Sequence, residues 1–305
     1  KVIDSRKQVV ATVPHFSDFG TVIRAGTKYA VRNQQRLDPG VFARRKNNGE
    51  LEAFINHLPG EGMPHRIGFD PDKNTFTINI AGSTAPLLPF LKAMKATDQD
   101  VDQHWGVEIG NANRSVKARD SVERLASKLL SREDLESPNV DRVAKLVEKY
   151  QSFKVNPFIL GRTLGMNKQT LDKDVLLAAT AKLIKINRGE AESDDRDSLE
   201  YQRFFGPEDL FAERIAKDSE GWQKKLLYKV AKAGSLSAMP SGALTHQLDH
   251  VLLRSGVAQP LEEINTSEFA DRLHNVTRMG EGGISPGAIP LEARNVQNSH
   301  RSEER

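Results

Sequence analysis

The sequence predicts a mixed α+β fold built from several small subdomains. Three observations point there. Short β-branched or alternating runs, separated by turn residues, crowd the first 80 or so positions. Helical periodicity dominates from about residue 86 to 186 and returns between 207 and 254. A glycine-rich segment then closes the patterned part of the chain.

In the β-rich part, residues 21–24 and 28–31 read as strands around Ala25-Gly26, a hairpin turn. Residues 51–55 and 65–69 are further strands. Asp70-Pro-Asp-Lys-Asn74 has strong turn chemistry and leads into the alternating run 75–80. Helices follow. Val122, Leu125, Ala126, Leu129 and Leu130 share one helical face, as do Val140, Val143, Ala144, Val147 and Tyr150. Asp172 is a good N-cap for an apolar helix over 175–186, which Gly189 ends. Pro207 at a first helical position, with Glu208 and Asp209 behind it, opens a helix to about Lys217. A second helix is expected over 223–233, with Leu226, Leu227, Val230 and Ala231 inward, and a third over 241–254, ended by Gly256. Finally, Phe269, Leu273 and Val276 stripe a helix that Asn265 caps and Gly280 terminates.

Composition narrows the function classes. The chain has 305 residues, 38% hydrophobic and 28% charged, with net charge +3 and no cysteine. Disulfides and thiolate metal sites are thereby excluded. No apolar run reaches the roughly 18 residues of a membrane span, so the chain is read as cytoplasmic with no membrane partner. The acidic run EAESDDRD (190–197) lacks the glycine and terminal Glu of an EF-hand. No nucleophile motif accompanies the eight histidines. The block Arg24, Lys28, Arg32, Arg36, Arg44, Arg45 and Lys46 holds seven cations against the single anion Asp38, which suits a polyanion if the fold gathers it on one face.

The stretch around which the rest is organised is RLHNVTRMGEGGISPGAIPLEARNVQNSH (272–300). Its Gly-Glu-Gly-Gly loop permits close backbone approach but carries no Walker-type lysine. This stretch resembles the part of the β subunit of multisubunit DNA-directed RNA polymerase that contains the rifamycin-pocket helix and second fork loop, in a form nearer to divergent bacteriophage-type subunits. Four earlier segments resemble the same family in the family's order: DFGTVIRAGTKYAVRNQQRLDPGVF (18–42), HRIGFDPDKNTFTINI (65–80), PLLPFLKAMKATDQDV (86–101) and LDKDVLLAATAKLIKINRGEAESDDRDSL (171–199).

The resemblance implies part of a protrusion in residues 1–41, a lobe in 42–205, helices returning to the protrusion in 206–258, and the pocket helix and fork loop in 259–305. Because the chain opens on Lys1 and ends in Arg-Ser-Glu-Glu-Arg, the expectation is a fragment. The resemblance further implies contact with DNA and the RNA–DNA hybrid through Gln259, Arg272, Asn275, Thr277, Arg278, Gly280, Gly282, Gly283 and Arg294; the early basic block, by its charge alone, is a further DNA-facing candidate. It also implies a β′ partner and other polymerase subunits. Polymerase chemistry needs two bridged divalent ions held by clustered carboxylates. In the family these belong to β′, so magnesium is expected there, with no catalytic residue, metal or cofactor in this chain. Departures from the family are the uncharged run 285–288 after the glycine pair and Asn265-Thr266 where Asn-Pro is usual. The alternative is a non-catalytic nucleic-acid-binding or scaffolding protein derived from the same half of a β subunit.

Overall fold

The computed structural model describes residues 7–18, 20–46, 48–117, 120–136, 138–261, 265–267, 270 and 275–283. They divide into two compact units. One takes the described residues up to Arg36 together with those from Gln202 onward; the other is Leu37–Tyr201. These divisions fall at 36/37 and 201/202, where the sequence suggested 41/42 and 205/206. The mixed α+β class is as expected.

The Leu37–Tyr201 unit is built on an antiparallel five-stranded meander: β4 (Gly40–Arg45), β5 (Leu51–Asn56), β6 (His65–Asp70), β7 (Thr75–Ile80) and β8 (Ser83–Pro86), paired in that order. Asn74, with φ 53°, makes the β6–β7 turn with local side-chain help from Asp70, whose Oδ1 accepts from the Asp72 and Lys73 amides. Alternation places Ala53, Ile55, Ile67, Phe69, Phe76, Ile78 and Ile80 in one core. Helices α1 (Leu87–Ala93), α2 (Asp98–Trp105), α3 (Val107–Ser115), α4 (Ser121–Leu129), α5 (Arg132–Leu135), α6 (Asn139–Gln151), α7 (Pro157–Leu164) and α8 (Lys173–Arg188) follow. Helix α8 is capped as its sequence demands. Asp172 accepts from the Val175 amide at 3.0 Å, and Gly189 closes the helix in the left-handed region at φ 75°. Its buried residues Val175, Leu176, Leu183 and Ile184 join the sheet's core, and Thr180 accepts from the Trp105 indole at 2.7 Å.

The acidic run after α8 is structural. Asp194 accepts from the Ala43 amide at 2.8 Å and from Lys182 Nζ at 2.6 Å, tying the connector back onto β4.

In the other unit, β1 (Thr21–Arg24) and β2 (Thr27–Val31) form the expected hairpin, with Ala25 (φ 51°) and Gly26 (φ 79°) supplying the two positive-φ positions of a type I′ turn. Strand β10 (Ala258–Pro260) adds to β2, pairing Gln259 with Ala30. A second sheet runs β11–β3–β9, with β3 (Asn33–Leu37) between β9 (Gln202–Phe205) and β11 (Val276–Thr277). Val22, Leu248 and Leu252 form the buried core against which Phe16, Tyr29 and Phe211 pack. No helix among the described residues is long and apolar enough to cross a membrane.

Four expectations change here. The two helices at 207–217 and 223–233 are one helix, α9 (Pro207–Ala233). Gly221 costs helix propensity, but neighbouring turns carry the hydrogen-bond ladder through it. Leu227 and Ala231 do not point inward: Leu227 is 70% exposed, and Ala231 is exposed too. The helix expected through Val276 does not extend that far. Asn265 does make the cap contact, accepting from the Ser267 amide at 3.0 Å, but by Val276 the chain is extended along β3. Phe269 and Leu273 lie outside the described residues. The helix expected over 241–254 begins later, as α10 (Thr245–Leu253).

Two outcomes follow. A Cβ at Gly221 meets nothing within 4 Å, so Gly221→Ala should raise stability by about 0.5–1 kcal/mol, read as a higher urea midpoint. The second concerns His57 and His65, stacked with ring centroids 5.6 Å apart. Burial pushes the His57 pKa down to about 4 and, with the charge of His57, that of His65 down to about 3. Both therefore stay neutral when folded but protonate near pH 6.5 when unfolded. Their contribution is complete above that pH and is lost as pH falls towards 4 and then 3, at about 1.4 kcal/mol per pH unit for each. Urea midpoints between pH 7 and 4.5 should fall steeply in the parent and less steeply in the His57→Gln/His65→Gln variant; parallel slopes would contradict this.

Candidate nucleic-acid interface

The candidate site grows from a strand that looks unlike one. β3 reads Asn-Gln-Gln-Arg-Leu, yet Gln34 is 0%, Gln35 3% and Arg36 5% exposed. Buried polar groups need partners, and much of what β3 lacks locally comes from far along the chain. Gln34 Nε2 donates to the Met279 carbonyl at 2.8 Å. Arg36 donates to Glu213 Oε2 at 2.6 Å and lies 4.0 Å from the Phe205 ring centroid. Just before the strand, buried Arg32 donates to the Gly256 and Val257 carbonyls at 2.9 and 3.2 Å.

That last contact fixes the turn after α10, and the turn seats the glycine loop. The Glu281 amide donates to the Ser255 carbonyl at 3.2 Å. The Glu281 carboxylate takes Arg214 Nη1 at 3.0 and 3.2 Å, and Lys217 Nζ as well, both from α9. His250 Nδ1 of α10 stands 3.4 Å away without hydrogen-bond geometry. Burial alone raises the Glu281 pKa. Hydrogen bonding from Lys217 and the charges of Lys217 and Arg214 outweigh it and hold the group below the ordinary value. Burial and the charge of Arg214 lower His250, so the cations of this clamp at neutral pH are Arg214 and Lys217.

The glycines are there because nothing larger fits. At Gly280, φ is +110° and a Cβ would stand 2.8 Å from the Ser255 carbonyl oxygen. At Gly283 it would stand 2.4 Å from the Arg278 carbonyl oxygen and 2.6 Å from Gln34 Nε2. Gly282, at φ 79°, is the exposed tip.

The structure thus brings Thr277, Gly280 and Gly283 together around Gln34 and leaves Gly282 outside. Thr277 is fully buried, and its hydroxyl accepts from the Met279 amide at 3.0 Å. Gln259 and Asn275 are half-buried, as is Arg278, which has an internal partner. Arg272 and Arg294 lie outside the described residues.

The basic block falls in both units and is heavily engaged. Arg24 forms a bidentate pair with Asp249 at 2.7 and 2.9 Å; Arg32 and Arg36 are held as above, and Lys28 has an internal partner. In the other unit, the nearly buried Glu52 carboxylate draws Arg44 at 2.7 Å, Lys46 at 3.0 Å and Arg66 at 3.6 Å. Arg45 is the exposed member, reaching Asn187. Sequence reading missed Gln34, Arg214 and Glu281 as the loop's fixings. Glu281, an acid within a glycine run, was the available signal.

Removing the clamp gives a graded outcome. Gly280→Ala should destabilise by about 1–3 kcal/mol through strain and contact. Glu281→Gln should cost about 1–2 kcal/mol, reduced by partial exposure. Both are read as urea midpoints at neutral pH, and the Gly280→Ala loss should persist in high salt whereas the Glu281→Gln loss should shrink.

No protein-family model matches the chain. Over 98% of its length it is 22% identical to the DNA-directed RNA polymerase subunit beta of Corynebacterium jeikeium, 23% identical to that of Corynebacterium urealyticum and 20% identical to that of Euglena longa. The chain spans about three-tenths of these relatives, 28%, 28% and 31% of their lengths. It is therefore β-subunit-like along nearly its whole length.

Proposed function

We propose that this chain is a segment of the β subunit of a multisubunit DNA-directed RNA polymerase, of the divergent bacteriophage type, and that it holds nucleic acid during transcription rather than catalysing it. The observation that carries the reading is similarity extending over 98% of the chain to one named subunit in different organisms. The geometry agrees in kind. A glycine loop anchored from three directions offers an exposed backbone tip at Gly282, preceded in sequence by Asn275 and Arg278, the residue types that meet phosphates and sugars without reading sequence.

In this reading Leu37–Tyr201 is the lobe, the other unit combines protrusion and fork segments, and the two-metal chemistry belongs to a β′ partner carrying magnesium. Gln259, Asn275 and Arg278 contact the RNA–DNA hybrid, together with Arg272 and Arg294. Within the early basic block, Arg45 is the side chain best placed to meet DNA. The work is done inside the cell, in a complex with other polymerase subunits.

Two outcomes test this. The purified chain alone should incorporate no nucleotide on a primed template. Affinity purification from its native source should recover a β′-type subunit and template-dependent RNA synthesis in the same fractions. Recovery of the chain with neither would overturn the assignment.

A further inference from the structure

The second half of α9 has no place in the function described so far. From Trp222 to Ala233 it carries Lys224, Lys225, Lys229 and Lys232 with no Asp or Glu. Trp222, Lys225 and Lys229 lie at i, i+3 and i+7, on one stripe of the helix. This stripe forms one wall of a groove of about 590 Å³, whose opposite wall includes Pro240, His246 and Gln247.

The groove is furnished for a ligand. Its one acid, Asp218, is already paired with Arg214 at 2.9 Å, and Lys217 with Glu281. Lys225 and Lys229 have no partner among the described residues. Two buried polar atoms are also unmatched: the Trp222 Nε1 donor and the Gln247 Oε1 acceptor, the latter on a side chain only 7% exposed. Further along, Tyr228 is 67% exposed among the lysines.

Such a set asks for a ligand with repeated negative charge, a hydrogen-bond donor and flat apolar faces. We propose that this groove binds single-stranded nucleic acid: Lys225 and Lys229 meet successive phosphates, Gln247 accepts from a base N–H, the Trp222 ring receives an unstacked base, and Tyr228, outside the groove on the same helix, is open to the next one. Sites for single strands combine cationic grooves with aromatic platforms in this way. An acidic peptide would use the lysines but leave the aromatic residues without a role. The site stands on α9 and residues 240–247, independently of the glycine loop and of the polymerase reading.

The test uses the complete 305-residue chain with fluorescein-labelled twelve-nucleotide dT and rU strands, followed by anisotropy across a salt series. Trp222 emission is a second readout, because the other tryptophan, Trp105, is 2% exposed and serves as a constant background. Binding should quench Trp222. Lys225→Gln/Lys229→Gln should flatten the salt slope by about 1.4, at roughly 0.7 per single-strand phosphate contact. Trp222→Ala should weaken binding about tenfold, a typical loss for one stacked base. Circular dichroism melts confirm that each variant is folded, and the lysine pair keeps the test decisive if Trp222→Ala is not. No binding at low salt, an unchanged slope in the lysine variant, or equal displacement by a polyglutamate peptide would each overturn the proposal.

Discussion

Everything at the candidate interface depends on one carboxylate placed inside a glycine run. Glu281 is drawn to Arg214 and Lys217 of α9, while its own amide is held by Ser255 after α10. Loops without side chains lose more conformational entropy on ordering than other segments. A glycine loop therefore needs an external fixing to hold one shape. Here the acid supplies charge-assisted bonds to two cations, and Gln34 adds a hydrogen bond to the Met279 carbonyl. Together they hold both the approach to the loop and its middle, leaving Gly282 outermost.

This clamp explains why a polar sequence makes a buried strand. Gln34, Gln35 and Arg36 have little apolar surface to contribute, so β3 is valuable for what it bonds to. Gln34 fixes the glycine loop, Arg36 fixes α9 through Glu213, and nearby Arg32 fixes the turn that receives Glu281. Burial of Arg36 and Glu213 would be costly if either were alone. Burial raises the Glu213 pKa, and the Arg36 bond and charge pull against that rise.

Where structure is decided locally, the sequence was legible. Asp172 and Gly189 bound α8, Ala25-Gly26 turns the first hairpin, and the alternation of 75–80 marks a strand, because caps, turns and periodicity act within a few residues. Less could be read where partners are remote. Nothing near Asn33–Leu37 announces a strand, since its partners lie beyond residue 200. Val276 fitted a helical stripe by spacing but was captured by pairing with Asn33. The early basic block suited a polyanion if the fold gathered it on one face; in the fold most of its members answer acids or carbonyls, because the buried Glu52 and the half-buried Asp249 meet them at hydrogen-bond distance. The lysines of the second half of α9 carried no reading in the sequence; the groove beside them gives them one.

The central claim is that the glycine-loop region faces nucleic acid in a transcribing assembly. Because the chain has no cysteine, Asn275→Cys provides a single attachment point in it for a photoactivable aryl azide. The measurement is crosslinking of this chain to labelled RNA and DNA strands in an actively transcribing complex stalled at a defined position. The account predicts an adduct confined to the nucleotides of the melted region or hybrid and dependent on transcription. An active complex that yields no such adduct, or the same adduct with free duplex, would contradict it.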